Sequence, residues 1–396
     1  MKTEKAKLLI FAEYFLPGYN SGGPVQSISN LISLLKSTYD IYLVTRDRDL
    51  KEEQAYTTII INDWIDSTGV KMIYLSPKNI SYRSFKNIVS TIKPTYIYLN
   101  SLYGGMSRIM LAYSLLNNRL LILAPRGELQ AEAISVKSYK KKPYIKLIRF
   151  LFSKDLITWH ATSQVEVADI KKAFRKSSVG FIPIKFAPDT PKMFDKRIAY
   201  TKHVGQLKMI FIARIAPIKN LLFLLDTLLI VNSTRVILDI YGHINDADYW
   251  QKCLKKIETL QHNHSISYKG HLSHNDVPEA LSHYDLFVSP TLGESFGHSI
   301  YEAMSVGVPV LISDLTPWQD LEHQHAGMSL TLNKESWAKA IQQFILMDDT
   351  EYRSLSKGAR NLSQKYIDEQ QFQVSYQNLF SSDYQLVNDN RQVSST

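Results

Sequence analysis

Apolar runs of strand length alternate with stretches of helical periodicity along almost the whole chain, and no other feature constrains the fold as much. A strand without a polar face must be covered on both sides, and helices between successive strands provide that cover, so the pattern predicts an α/β protein with parallel sheets. In the first half the strand candidates are Lys7–Ala12, Ile41–Thr45, Lys71–Leu75, Tyr96–Leu99, Leu120–Leu123, Ile157–Trp159 and Val179–Ile182. Helical spacing falls between them, as where Val25, Ile28, Leu31, Ile32 and Leu35 share one face behind Pro24. The stretch Pro183–Gly205 has no period, contains Pro188 and Pro191, and gives way to a fresh strand at Leu207–Ala213. The pattern then repeats with a helix at Asn220–Val231, a strand at Val236–Tyr241, a helix at Asp246–Leu260, and strands at Ser265–Tyr268, Leu286–Val288 and Pro309–Ile312. At 396 residues the chain exceeds one ordinary domain. The expected division is a domain over 1–190, a second over 200–365, a helix over 366–382 crossing back to the first, and a loose tail over 383–396.

Two doubly wound domains of this kind bind ligands at the carboxyl ends of their strands, which predicts a cleft between them. Charge is unevenly divided: residues 1–200 hold 30 Lys and Arg against 16 Asp and Glu, and residues 201–396 hold 16 against 21. The basic half points to an anionic partner or to a solvated basic surface. Ser135–Lys154 concentrates it, with seven basic residues, no acidic one, and Tyr139, Tyr144, Phe150 and Phe152 interleaved. Two readings stay open for it: a helix on an anionic membrane surface, or an amphipathic helix packed on the sheet with its lysines in water. Pro143 breaks the pattern, so the helix is expected to start there. No nucleic-acid-binding module accompanies the charges. The single Cys253 cannot form an internal disulfide, and the N-terminal apolar run is too short for a signal sequence or a membrane span, which favours a cytoplasmic protein.

The chemistry concentrates in the second half. Glu294 and Glu302 flank a loop and a helix start within the run Pro290–Pro309, and eight residues on one helix would separate them by about 12 Å. Two carboxylates so placed, with free helix N–H groups between them, suit an elongated ligand with hydroxyls at both ends and an anion in the middle. Arg214 and Lys219 follow the first strand of the second domain and can grip one phosphate, the arginine bidentately and the lysine as a point charge. In the first domain Gly22 and Gly23 follow the first strand and open a helix, where backbone N–H groups approach a ligand closely.

Phe296-Gly297, Glu302-Ala303-Met304 and Gly307 with Pro309-Val310 resemble the E-x7-E signature of the family 4 glycosyltransferases. Arg214 with Lys219 is similar to that family's R-x4-K diphosphate clamp. Ala124–Leu129, Trp159–Ser163 with Glu166, Asp239–Gly242 and Asp314–Asp320 resemble the branch that assembles bacterial surface polysaccharide and lipopolysaccharide. The resemblance runs from about residue 8 to 380. It implies the GT-B fold, two Rossmann-like domains facing each other across a cleft, and transfer of a sugar with retention from a UDP- or GDP-type nucleotide sugar to a glycan or lipid-linked acceptor. It implies that Arg214, Lys219 and Glu294 carry catalysis. Gly22, Gly23, Gly242, Phe296, Gly297, His298, Ser299 and Glu302 would complete the donor site, with Glu302 on the ribose and Glu294 on the transferred sugar.

On the acceptor side Arg126 and Glu128, in a loop after a strand, would face the cleft. Asn100 stands in the stretch where relatives carry a His or Asp. His160, at an apolar strand end, reads as a packed structural histidine. Asp47-Arg48-Asp49 and Asp246-Ala247-Asp248 match the D-x-D metal pattern of the other glycosyltransferase fold, GT-A, but clamp and helix ends already neutralise the diphosphate, so neither metal nor cofactor is expected. Two other classes fit the architecture: a sugar-nucleotide epimerase and a non-catalytic membrane-associated scaffold. The partners expected are a nucleotide sugar and a glycan or lipid-linked acceptor, joined by an anionic membrane surface on the first of the two readings of Ser135–Lys154, without nucleic acid.

Overall fold

A computed structural model of the chain describes residues 5–135, 138–152, 156–174, 182–192, 194, 201–231 and 235–381. The tail over 383–396 and most of the strand expected at 179–182 lie outside them. The described residues form two compact units, one running to Thr190 and resuming at Gln371, the other spanning Pro191–Gln370.

In the first unit the strands are β1 (Lys7–Ala12), β2 (Asp40–Arg46), β3 (Trp64–Ser67), β4 (Val70–Leu75), β5 (Tyr96–Asn100), β6 (Leu121–Ala124), β7 (Ile157–Ala161) and β8 (Ile184–Phe186). They make one sheet in the order β3-β4-β2-β1-β5-β6-β7-β8, parallel except where β3 pairs antiparallel with β4. The central strand shows why: Leu8, Leu9, Ile10, Phe11 and Ala12 are all buried, so helices must cover both faces. The helix Phe372–Leu379 packs on the edge strand β8, and Phe380 joins the rings of Tyr39, Tyr96 and Tyr98. The continuous helical stretch expected near Tyr366–Leu379 is interrupted: one helix ends at Glu369 and the next begins at Phe372.

The second unit holds β9 (Leu207–Ile212), β10 (Val236–Tyr241), β11 (Ser265–Tyr268), β12 (Leu286–Ser289), β13 (Val310–Ser313) and β14 (Gly327–Leu330). All are parallel, in the order β11-β10-β9-β12-β13-β14. Alternate residues of β9 enter opposite cores: Met209 and Phe211 join one apolar layer and Ile210 the other. Strand order reverses from β9, with β10 and β11 on one side and β12 to β14 on the other, and at such a switch point the loops leaving the carboxyl ends diverge and make room for a ligand.

The helix Ser138–Leu151 runs through Pro143, which corrects the expectation that it starts there. Proline at the helix's sixth position removes one backbone hydrogen bond, and the buried Ile145 and Ile148 anchor the turns after it.

Candidate functional site

Arg214 lies two residues past β9, ahead of the short 3-10 turn Pro217–Lys219 and the helix Leu221–Leu228. Burial pulls its pKa below the ordinary arginine value while the Glu294 carboxylate pulls it back up, which places the two groups in one electrostatic neighbourhood. Lys219 Nζ makes an ion pair with Glu294 Oε1, the two side chains 15% and 18% exposed. That pair is shielded enough to be ordered and open enough to accept a ligand. Several tertiary hydrogen bonds hold the loop bearing Glu294, whose own N–H donates to Leu315 O (3.2 Å). Leu292 N donates to Ile218 O (2.8 Å), Ser313 Oγ to Thr291 O (2.6 Å), and Trp318 Nε1 to Phe296 O (2.6 Å).

Gly297, with φ +81°, caps the helix His298–Ser305. The first N–H groups of this helix, including those of His298 and Ser299, have no partner within it. One turn on, Glu302 is buried, and that burial raises its pKa to about 7 against the opposing pull of His298 and Lys192. His274 Nδ1 lies 3.4 Å from Glu302 Oε1. Burial, with Lys192 and His298 adding, lowers the His274 pKa to about 4, so near neutrality a neutral imidazole faces a carboxyl poised to titrate, and the contact is no salt bridge. Gly242 ends β10 with φ +141°, and a Cβ there would lie 1.8 Å from Ala213 O, so only glycine lets this turn press against the residue preceding Arg214. The structure thus gathers Arg214, Lys219 and Glu294, and sets Glu302 on the helix that the same loop begins. His274 was not singled out by the sequence. Its only signal was a histidine in a loop after a strand.

The first unit is different. Gly22, with φ +68°, caps the helix Gly23–Leu35, so the glycine turn does open a helix N-terminus. Arg126, Glu128 and Asn100, expected to face an acceptor, are turned to internal work instead. The Arg126 side chain is 5% exposed and donates to Asn100 Oδ1 (2.9 Å), Asp189 Oδ1 (3.0 Å) and Tyr98 Oη (3.0 Å). Glu128 accepts from Leu102 N (2.5 Å), Ser101 Oγ (2.8 Å) and Tyr103 N (3.3 Å), which fixes the loop after β5. A buried charge must find such partners or unfold the chain, and a motif does not reveal which way it faces. His160 is the packed histidine expected, bonded to Tyr98 Oη (2.9 Å) and Ala187 O (2.8 Å), its pKa lowered to about 3 by burial. The charged pair left partly open at the strand ends is Glu13 with Arg46 (2.7 Å, 13% and 26% exposed), signalled in sequence only by the carboxylate that ends the β1 run.

Both D-x-D runs have structural work. Asp47 pairs with Arg48 (2.8 Å), and Asp49 accepts from the backbone of Tyr19 and Asn20. Asp246 caps the helix Ala247–Leu260 by accepting from Tyr249 N (2.9 Å). Among the described residues no group of three or more His, Cys, Asp or Glu is placed to hold a metal ion. Nor is any described helix long and apolar enough to cross a membrane.

Comparison with known proteins bears on this geometry. Residues 193–362 match the family described as Glycosyl transferases group 1. An uncharacterized 41.2 kDa protein in the cps region of Klebsiella pneumoniae is 22% identical over 263 residues, 62% of this chain and 71% of that protein. Anabaena HepE, solved in complex with UDP and glucose, superposes with a TM-score of 0.66 at 17% identity, over 91% of this chain and 95% of its own. Sucrose-phosphate synthase from Thermosynechococcus elongatus superposes with a TM-score of 0.69 at 16% identity, over 95% and 99%. At such identities the likeness establishes architecture. The chain has the GT-B fold, and its residues 193–362, which carry the paired glutamates and the basic clamp, match the Glycosyl transferases group 1 family.

Proposed function

We propose that the protein is a glycosyltransferase of the family 4 kind, moving a sugar with retention of configuration from a UDP- or GDP-type nucleotide sugar to a glycan or lipid-linked glycan acceptor. The observation that carries this reading is the Lys219–Glu294 ion pair beside Arg214, on the loop that ends in the helix bearing Glu302. Arg214 and Lys219 stabilise the leaving diphosphate as its charge develops, joined by the N–H groups from Phe296 to Ser299. Glu294 holds hydroxyls of the transferred sugar, and Glu302, as carboxylate, the ribose diol. On the first unit the turn at Gly22 and Gly23 supplies backbone donors for the phosphates. A leaving oxygen of the diphosphate takes the acceptor proton, so no protein nucleophile is assigned, and the positive charge supplied by the chain makes the reaction metal-independent. HepE in complex with UDP and glucose supports the donor class, and the Klebsiella cps-region relative supports surface-polysaccharide assembly.

The test is a thermal-shift screen against nucleotide diphosphates and their sugars, because a ligand that binds only the native state raises the melting temperature. One nucleotide sugar should stabilise the protein with or without EDTA and fail to stabilise Glu302→Ala. No shift with any of them would overturn the reading.

The cellular place we assign is the inner face of an anionic membrane. On the helix Ser138–Leu151, Tyr144, Ile145 and Ile148 pack inward. On the opposite side Tyr139 (71% exposed), Pro143, Leu147 (51%) and Phe150 (78%) fall on one stripe of about 80° at 3.6 residues per turn. Exposed Lys142 and Lys146 border it on one edge and Lys140 on the other, while Arg149, also on the first edge, donates to Ala173 O (3.1 Å). Lys141 is not part of this face: its Nζ donates to Ala133 O (2.6 Å). Large apolar side chains left in water between cations suit a helix lying in a headgroup layer. Co-sedimentation with anionic vesicles reads this directly, and no binding would remove the assignment.

A further inference from the structure

We propose that Asp49 is a positioning residue that presets the glycine turn at Gly22 and Gly23, an inference that rests on the donor-phosphate reading of that turn. The segment between β1 and the helix Gly23–Leu35 is anchored at its start, where Phe15 is buried and Tyr74 Oη donates to Leu16 O (2.6 Å), but beyond Pro17 it runs through Gly18, Asn20, Ser21 and Gly22. Asp49 fixes it from outside. One carboxylate oxygen, Oδ2, accepts from two successive backbone groups, Tyr19 N (2.7 Å) and Asn20 N (2.9 Å), while Oδ1 accepts from Leu50 N (2.7 Å). Asn20 returns the contact by donating from Nδ2 to Leu50 O (3.2 Å). Asp49 and Asn20 are each only 8% exposed.

The contact leaves no slack. A Cβ at Gly18 would stand 2.6 Å from Asp49 Cγ and 2.1 Å from Tyr56 Oη, so the chain passes directly over the carboxylate. From there the turn closes through Gly22 N to Tyr19 O (2.8 Å), and the helix starts with Val25 N on Gly22 O (3.0 Å). Tyr19, clamped by Asp49, is therefore also the acceptor that sets Gly22. Charge-assisted bonds to backbone N–H are roughly twice as strong as neutral ones, so the turn is ordered before any ligand arrives. The ordering cost of the phosphate-binding backbone is then met by folding and not by substrate.

Three measurements test this on the full chain. Asp49→Ala should lower kcat about tenfold or more, since small misplacements of orienting groups are costly, and should weaken nucleotide diphosphate Kd severalfold, because the turn must then be ordered by the ligand. Amide exchange at Tyr19 and Asn20 should accelerate in that variant with β1 unchanged. Asp49→Asn keeps the shape and an acceptor oxygen and should lose about threefold. Should Asp49→Ala fail to fold, the exchange and kcat of Asp49→Asn decide. Combined with Gly22→Ala, Asp49→Ala should cost little beyond the worse single variant, because both disturb one turn. Turnover of Asp49→Ala within twofold of the wild type, or losses that multiply in the double variant, would overturn the proposal. Arg214→Ala separates the two layers: if it is impaired and Asp49→Ala is not, only the positioning role fails, and if neither is impaired, the donor reading itself fails.

Discussion

The two units share a parallel sheet and conspicuous charges at its carboxyl edge, yet they spend those charges in opposite ways. In the first unit Arg126, Glu128, Asp189 and Asp49 are bonded into the protein and hold loops in place. In the second, Lys219 and Glu294 meet each other on loops that are themselves held by backbone bonds and a tryptophan, and Glu302 is kept in a state that titrates near neutrality. The difference lies in what anchors the loop. Where backbone and hydroxyl bonds do it, charged side chains remain available for chemistry.

Arg126→Ala should have the largest effect, and on stability. It leaves Asp189 in the interior with Ser27 Oγ (2.9 Å) but without its cation, and breaking one side of a buried pair costs about 3–5 kcal/mol, read as a lower denaturation midpoint. Nucleotide diphosphate affinity should not change. A loss of acceptor KM without loss of stability would break the contrast and return Arg126 to the reaction. Arg214→Ala should do the reverse, costing on the order of 10² in kcat with a change of under about 1 kcal/mol in stability. Unimpaired turnover would take Arg214 out of the site.

This division explains what the sequence disclosed. β1 was legible to the residue because its apolar run is buried on both faces, and β10 because buried and half-buried positions alternate from Val236 to Tyr241. The bounds of β11 were read as closely, although its Ser-Ile-Ser-Tyr buries only Ile266. β3 was not legible, since Trp-Ile-Asp-Ser has one apolar half and its hairpin turn at Thr68 and Gly69, both at positive φ, lacks the usual Asn-Gly. β14 escaped for the same reason, Gly-Met-Ser-Leu being too short and polar to stand out. In the second unit motif spacing pointed to residues that the fold does assemble. Arg126 and Glu128 looked equally functional in a strand-end loop. Their direction is decided by Asp189 and by the backbone of Leu102 and Tyr103, partners 63 and about 25 residues distant that no local pattern announces. His274 stayed hidden because its meeting with Glu302 is likewise a tertiary fact.

Protonation sharpens the comparison at intermediate size. Glu302 has a folded pKa raised to about 7, above its unfolded value, so its contribution to stability is present below pH about 4.5 and is lost as pH rises through 7. Binding of a ribose diol needs the carboxylate and runs the other way. Nucleotide affinity should fall about tenfold from pH 8 to pH 6, following the ionised fraction, and Glu302→Gln should bind weakly at both. His160, with its pKa at about 3, and His274, at about 4, are neutral across that window and add no slope. A flat profile in the wild type would separate Glu302 from the nucleotide.

The smallest effects belong to the outer face of the helix Ser138–Leu151, where the first unit's charges do remain in water. Each cation near an anionic surface is worth about 1 kcal/mol, so Lys142→Ala should weaken partitioning onto vesicles of mixed zwitterionic and anionic lipid about fivefold, and raised salt should reproduce the loss. Lys141→Ala should leave partitioning within about twofold, because that amino group is engaged with Ala133 O inside the unit. Phe150→Ala should weaken binding at every salt concentration, since it removes apolar area instead of charge. The three variants together distinguish an interfacial helix from a solvated one. If Lys141 and Lys142 behave alike, the face is only a diffuse basic surface; if Phe150 alone matters, the stripe is a site for a protein partner and the membrane assignment falls.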